Sequence, residues 1–141
     1  MKVIVLGCGR LGAHLARRLD QEKHEVTVID RNAESFARLG SEFRGRMVFG
    51  TGIDEDLLRR AGIEHADAFV AVTNGDNTNA MASEIAKLVF NVPRVVARLY
   101  DPVREDTFHT LGLMDTVCPT IIGSDTIHDL VLGNGSPAKS N

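Results

Sequence analysis

The sequence is short of the features that mark membrane, secreted and zinc-binding proteins. No apolar run approaches the ~18 residues that cross a bilayer, and Met1 to Leu6 is too brief an apolar stretch for a secretion signal. Its only two cysteines, Cys8 and Cys118, lie far apart and without paired histidines, so we expect reduced thiols and no metal site. These absences predict a cytoplasmic protein.

The chain also lacks an excess of basic residues. Its 16 lysines and arginines are outnumbered by 19 aspartates and glutamates, which leaves no sign of a nucleic-acid partner. The five histidines show no ligand spacing, and we assign them no role. With 141 residues, 43% hydrophobic and 25% charged, the composition is typical of one soluble domain with a real core. It excludes a disordered tail, a collagen-like repeat and a coiled coil.

Short apolar runs recur at a nearly constant interval along the chain. Several are continuous rather than alternating, as in parallel strands that are covered on both faces. The predicted strands are residues 3–6, 26–29, 47–49, 68–72, 95–97 and a weaker 116–118. Segments with a helical period separate them. This alternation predicts an α/β fold: a doubly wound six-stranded parallel sheet with helices on both faces.

The helical segments have recognisable faces and ends. Leu11, Leu15 and Leu19 share a face of the first segment, and residues 82, 85, 86 and 89 share a face of the fourth. The predicted N-caps are Asp54, Asp76 and Asp101, the last followed by Pro102. The predicted helix ends are Gly40, Gly62, Gly112 and Gly133. We expect residues 1–132 to form one domain and residues 133–141 to fray as a disordered tail.

The first predicted strand ends in the motif GCGRLG, residues 7–12. A lone GxGxxG is weak evidence, but here a strand precedes it, a helix follows it, and Asp30 ends the second strand 21 residues after Gly9. Gly7 permits a tight turn, Gly9 lets a phosphate approach the backbone, and Gly12 lets the helix lie close to the sheet. The free N–H groups of that helix then form an anion site. A tight turn without a ligand is the alternative.

Asp30 and Arg10 carry the expected chemistry of this loop. Asp30 should accept hydrogen bonds from the ribose of an adenosine and disfavour a 2′-phosphate, although Arg31 beside it weakens that exclusion. A free ribose is common to NAD, ATP, ADP and AMP, so Asp30 does not choose among them. A cation such as Arg10 in the first turn of a helix is unfavourable beside the positive end of the helix dipole unless an anion is near. This suggests that its guanidinium binds two phosphate oxygens, including those of a neighbouring subunit's nucleotide. A solvated surface arginine is the alternative.

Further site residues are expected at the carboxyl ends of the other strands, where open parallel sheets bind ligands. They are Thr51, Gly52, Thr73, Asn74 and Arg98. The segment from Thr73 is equally a good turn with a cap. Arg98 would meet a second phosphate, or it would form a salt bridge to a loop carboxylate such as Asp101.

Taken together, these segments resemble a known family. The stretches GCGRLG, VIDR (28–31), GTGIDEDLLRRAGI (50–63), DAFVAVTNGDNTN (67–79) and RVVARLYDP (94–102) are similar to the nucleotide-binding domain of potassium-transport regulators. These regulators are the Trk and Ktr peripheral subunits and the RCK domains of potassium channels and transporters. The resemblance covers roughly residues 1–132 and implies a Rossmann-like sheet with a C-terminal crossover helix.

The resemblance implies a regulatory subunit rather than an enzyme. Such a subunit binds NAD(H) or ATP/ADP and controls a membrane-embedded potassium transporter or channel from the cytoplasmic face of the membrane. It forms a homodimer or a higher ring, in which the apolar stretch 121–131 packs on a partner subunit; packing back on its own sheet is the alternative. The implied nucleotide contacts are Gly7, Cys8, Gly9, Arg10, Leu11, Gly12, Asp30, Arg31, Thr51, Gly52, Thr73, Asn74 and Arg98.

Two positions depart from the family pattern, and one rival function stays open. The family often has Asp-Ala where this chain has Thr51-Gly52, and many members follow Pro119 with glutamate rather than Thr120, so no metal is expected there. The rival is the NAD-binding part of an oxidoreductase. Two observations argue against it. The six strands and their helices leave no residues for a substrate domain, and Tyr100 is not followed four residues later by the lysine of a Tyr-x-x-x-Lys catalytic base, as in short-chain dehydrogenases. A redox-sensing transcription factor would need a DNA-binding module, which is missing here. Many regulators of this family add a second, smaller domain after this one; these residues do not include it, and both a short chain and a part of a longer protein remain alternatives.

Overall fold

The computed structural model of the chain describes residues 1–113 and 115–134. The strands are β1 (Lys2–Leu6), β2 (Glu25–Asp30), β3 (Arg46–Phe49), β4 (Ala68–Ala71), β5 (Arg94–Arg98) and β6 (Thr116–Val117). They form one parallel sheet in the order β3-β2-β1-β4-β5-β6, which is the order of a dinucleotide-binding sheet. The predicted α/β fold is confirmed, and each strand lies within one residue of its predicted bounds.

Five α-helices and several tighter turns connect the strands in the described residues. The α-helices are α1 (Arg10–Gln21), α2 (Glu55–Arg60), α3 (Asp76–Glu84), α4 (Glu105–Thr110) and α5 (Pro119–Val131). Short 3₁₀ helices cover Ala33–Leu39, Ile63–His65 and Pro102–Arg104. The connection between β2 and β3 therefore contains a 3₁₀ helix, and this short element leaves the edge strand β3 largely exposed.

The central strands β1, β2 and β4 bury both of their faces. Ile4 and Leu6 of β1 belong to a core that includes residues of α2 and α3, whereas Val3 and Val5 belong to a core that includes residues of α1. The continuous apolar runs of the sequence follow from this arrangement, because neither face of a central strand meets water. The central part of the sheet is thereby fixed in a layer between helices.

The buried face of α1 differs from the predicted one. Its buried residues are Gly12, Ala13, Ala16 and Asp20. Leu15 and Leu19 flank this stripe and pack against the core, but Leu11 is exposed. The reason is the close approach at Gly12, where an added Cβ would lie 1.9 Å from the carbonyl oxygen of Gly7. Only small side chains fit between the sheet and a helix this near.

The predicted caps are confirmed at two of the three aspartates. Asp54 accepts the N–H groups of Asp56 and Leu57, and Asp101 accepts the N–H of Val103. The predicted cap at Asp76 is wrong, because Gly75 occupies that position and Asp76 is the first residue of α3. Glycines with positive φ close the predicted helix ends; they are Gly40, Gly62, Gly112 and Gly133.

The fourth helical segment also ends differently from its prediction. A π-helical turn, Ile85–Val89, follows α3 and changes the direction in which side chains project. Ala82 and Ala86 are buried as predicted, but Val89 is exposed.

The last helix, α5, has no buried residue. Its apolar side chains are exposed, among them Ile122 at 58%, Ile127 at 62% and Val131 at 76%. The alternative in which α5 packs back on its own sheet is therefore not observed. Of the predicted tail, only Gly133 and Asn134 are described, and they close α5 with N–H bonds to its carbonyls; the rest of that prediction lies outside the described residues. None of the described helices is long and apolar enough to span a bilayer.

Candidate functional site

A cleft of ≈ 500 Å³ opens at the carboxyl edge of the sheet. It lies where the strand order reverses between β1 and β4, the usual binding position in sheets of this kind. Nine predicted site residues line it: Gly7, Gly9, Asp30, Arg31, Thr51, Gly52, Thr73, Asn74 and Arg98. The structure thus brings together residues that are up to 91 positions apart in the sequence.

The other four predicted residues do not line the cleft. Cys8 is completely buried beneath the loop, and Gly12 is buried against Gly7. Arg10 and Leu11 are exposed on the first turn of α1. Neither side chain is among the residues that line the cleft, so a contact of Arg10 with a nucleotide is left to a neighbouring subunit's ligand or to a different position of its side chain.

The glycine-rich loop has the shape of a phosphate cradle. Gly7 lies at φ +111°, where a Cβ would be 2.9 Å from the Thr73 nitrogen, so the loop turns tightly against β4. At Gly9 an added Cβ would meet nothing within 4 Å, which means that the cleft is open there. Gly9 is the N-cap of α1 and has no side chain to cap it, and the first turn carries no acidic residue. The unpaired N–H groups and the helix dipole favour an anion at this point.

The side chain of Asp30 is held at the wall of the cleft by two backbone N–H groups. The N–H of Cys8 donates to Oδ2 at 2.7 Å, and the N–H of Asn32 donates to Oδ1 at 2.8 Å. Each carboxylate oxygen keeps a further lone pair for a ligand hydroxyl. The arrangement fixes the carboxylate in one orientation while leaving it able to accept hydrogen bonds from a ribose.

Cys8 is a structural residue rather than a reactive one. Burial raises the pKa of its thiol above the ordinary value, and the Asp30 carboxylate adds to this effect while the Arg38 guanidinium opposes it. The thiol is therefore neutral at physiological pH, and it donates to the carbonyl oxygen of Ser35 at 3.3 Å. This contact joins the glycine-rich loop to the 3₁₀ helix after β2.

Arg98 stands at the opposite wall without a salt bridge among the described residues. Its Nε is buried and has no hydrogen-bond partner, and its guanidinium lies 5.1 Å from the centre of the Tyr100 ring. The alternative partner, Asp101, instead caps the short helix that follows it. A buried N–H without a partner is costly, so an anionic ligand at this position would satisfy a group that the protein leaves unpaired.

The cleft is positively charged, partly through a residue that sequence reasoning missed. Three arginines and one aspartate line it: Arg31, Arg38, Arg98 and Asp30. Arg38 donates to the carbonyl oxygen of Cys8 at 3.2 Å, which holds its guanidinium beside the loop. No motif marks this residue, because its position depends on the tight 3₁₀ helix after β2. An excess of positive charge in a partly enclosed cleft favours phosphate-bearing ligands.

Residues 3–119 match the family model that is described as the TrkA-N domain. The chain belongs to this family. The Trk system potassium uptake protein TrkA of Streptomyces coelicolor is 51% identical over 113 residues, which cover 80% of this chain and 51% of that protein. The protein of the same name from Vibrio alginolyticus is 41% identical over 102 residues, covering 72% and 22%. This TrkA-N domain chain thus spans about half the length of the first relative and less of the second.

Solved structures share the fold of this chain. The TrkA-N domain of the inner membrane protein ybaL from Escherichia coli superposes with a TM-score of 0.82 at 19% identity, covering 92% of this chain and 95% of that one. GsuK in its ADP-bound crystal structure has a TM-score of 0.78 at 25% identity, covering 92% and 33%. The predicted resemblance and the Rossmann-like fold are confirmed.

One departure of this TrkA-N domain from the family pattern has a local physical reason. At Gly52 an added Cβ would lie 2.3 Å from a methyl carbon of Leu6, so the small residue makes room for the core side chain at the end of β1. Thr51 beside it is exposed and lines the cleft. The wall formed by this loop therefore offers a hydroxyl and a bare backbone to a ligand.

Proposed function

We propose that this chain is the nucleotide-sensing part of a cytoplasmic regulatory subunit of a potassium transporter or channel. In this proposal it binds NAD(H) or ATP/ADP in the cleft, with no turnover of the ligand. The observation that carries the proposal is the combination of an uncapped α1 N-terminus, an anchored Asp30 and the unpaired Nε of Arg98 in one positively charged cleft. The names of the relatives support the link to potassium uptake, and the ADP-bound GsuK supports an adenine nucleotide.

Each part of the cleft has a separate task in this proposal. Asp30 accepts the ribose hydroxyls, the backbone at Gly9 and the α1 N-terminus bind the phosphate nearest the adenosine, and Arg98 meets a second phosphate and whatever lies beyond it. Ligands that share the adenosine but differ beyond it would then favour different subunit arrangements. The free-energy shift in the equilibrium between the two arrangements equals the difference in how strongly the ligands prefer one over the other. A difference of about 1.4 kcal/mol would give a tenfold preference.

The lining of the cleft favours this proposal over an oxidoreductase. It contains no histidine, lysine, tyrosine or cysteine, and its one carboxylate, Asp30, is already held by two backbone N–H groups. Among the described residues that line the cleft, no side chain other than Asp30, which this proposal assigns to the ribose, could act as a general base for hydride transfer. The test is calorimetric titration with NADH, NAD, ATP and ADP, followed by a search for turnover. We expect competition of at least two ligands for one site; absence of binding, or steady hydride transfer to a small substrate, would contradict the proposal.

Arg10→Ala is expected to narrow the affinity difference between the tightest and the weakest nucleotide. Because Arg10 lies outside the cleft of its own chain, the effect should require the assembled protein. Loss of one exposed phosphate contact would lower the affinity of the tighter ligand by about threefold to tenfold. The measurement is calorimetry on the oligomer, and Arg18→Ala is the control, since Arg18 is exposed on the same helix and pairs with Glu22. An unchanged ratio of affinities would leave Arg10 as a solvated surface residue.

The exposed apolar side chains of α5 are proposed to pack on a second copy of the chain. Ile127→Asp is expected to raise the dimer dissociation constant at least about tenfold, because a charge in a packed apolar contact is costly. Analytical ultracentrifugation measures this change. Val103→Asp is the control, since Val103 is an exposed valine outside α5. A wild-type chain that sediments as a monomer at about tens of micromolar would contradict the proposed dimer.

A further inference from the structure

Asn79 of α3 is completely buried and uses every hydrogen-bonding position of its side chain. Its Oδ1 accepts the N–H of Thr73 at 3.0 Å and the hydroxyl of Thr73 at 2.7 Å. Its Nδ2 donates to the carbonyl oxygens of Thr73 and Arg98, both at 3.1 Å. The N–H of Thr73 donates and accepts nothing, so the oxygen of the amide has to face it, and the orientation of the side chain is fixed.

The two residues that Asn79 joins lie on different strands and line the same cleft. Thr73 lies two residues after the end of β4, and Arg98 is the last residue of β5. Their backbones are thus held at a fixed separation by one amide. The Thr73 hydroxyl in turn accepts the N–H of Gly75, which closes the loop that leads into α3.

A second side chain of α3 reinforces the same connection. Asp76 accepts the N–H groups of Tyr100 and Asp101 at 2.6 and 3.0 Å, and Arg104 lies 3.8 Å from it. The Asp76 side chain is only 8% exposed, although its partner Arg104 is half exposed. The residues that follow Arg98 are therefore also tied to the start of α3.

We propose that Asn79 is a positioning residue of the ligand site. It holds the Thr73 loop and Arg98 as one unit, which binds the part of the nucleotide beyond the adenosine. The adenosine itself belongs to the other half of the sheet, where Asp30 ends β2, because dinucleotide folds bind one nucleotide half on each side of the point where the strand order reverses. The inference rests on the proposed function and adds that the two halves of the cleft are set by separate hydrogen-bond networks.

The test compares two probes, adenosine and ADP, on the full chain by calorimetry. Asn79→Leu replaces the amide with an apolar group of similar size and so removes all four hydrogen bonds. We expect its affinity for ADP to fall by about tenfold and its affinity for adenosine to change by less than about twofold. Asn79→Ser, which is smaller and has a hydroxyl in place of the amide, gives the same comparison if the leucine variant does not fold. Ile63→Ala is the control, because Ile63 is a buried residue just before β4, at the opposite end of that strand from the cleft, and its truncation should lower stability without altering either affinity.

A double-mutant cycle separates positioning from general stability. If Asn79 acts through Arg98, then Asn79→Leu should lower ADP affinity by less than about twofold in an Arg98→Gln background. Equal losses for adenosine and ADP, or additive effects of the two substitutions, would overturn the proposal while leaving the proposed function intact. A wild-type chain that binds neither probe would overturn both.

Discussion

Asp30→Ala is expected to lower the affinity for ADP or NADH by about 10- to 100-fold, because a charged hydrogen-bond acceptor contributes about 1.5–3 kcal/mol. The structure adds a second reason for a large effect. The substitution also removes the acceptor of the Cys8 N–H, so the glycine-rich loop loses its anchor beside β2. Asp30→Asn separates the two roles, since the amide keeps one oxygen for a backbone donor but loses the charge. We expect its affinity to lie between those of wild type and Asp30→Ala.

The measurement is calorimetry, with circular dichroism to establish that each variant is folded. Asp67→Ala provides a matched control, because Asp67 also accepts a backbone N–H, that of Lys2 at 2.7 Å, but lies at the opposite edge of the sheet. It should leave nucleotide affinity unchanged. A dissociation constant for Asp30→Ala equal to that of wild type would remove the ribose site from this wall of the cleft.

The sequence was sufficient to predict the sheet, because its signals are local. A continuous apolar run marks a strand buried on both faces, and the glycines at the ends of helices adopt the positive φ that favours glycine. The motif of residues 7–12 predicted the turn at Gly7 and the close packing at Gly12, since both follow from the absence of a side chain. These features need no knowledge of which strands become neighbours.

The parts of the site that were missed depend on contacts between distant segments. Asp76 has the sequence pattern of a cap, yet its carboxylate accepts N–H groups of Tyr100 and Asp101, which are near only because β5 lies beside β4. Asn79 looks like an ordinary polar residue of a helix until the same strand pairing buries it. Arg38 reaches the cleft because a tight 3₁₀ helix replaces a regular one. Periodicity and spacing do not encode these pairings.

Gly12→Ala is expected to destabilise the fold by about 3 kcal/mol or more, an effect of overpacking. The added Cβ would lie 1.9 Å from the carbonyl oxygen of Gly7, which is backbone and cannot turn aside. The start of α1 would have to move away from β1, and this movement would outweigh the gain of about 1 kcal/mol that alanine usually brings to a helix. Urea denaturation followed by circular dichroism measures the loss, and an unchanged midpoint would contradict the close packing seen at this residue.

Gly9→Ala is the matched substitution, and it should affect binding rather than folding. Gly9 has φ −76° and ψ −166°, a conformation open to alanine, and the new methyl group would meet no protein atom within 4 Å. We therefore expect the free energy of unfolding to stay within about 1 kcal/mol of wild type. The methyl group would project into the cleft, where a phosphate oxygen has to approach the backbone N–H groups of α1, and the affinity for ADP should fall at least about tenfold. Calorimetry on this stable variant isolates the loop: full retention of ADP affinity would mean that the phosphates bind elsewhere in the cleft, nearer Arg98.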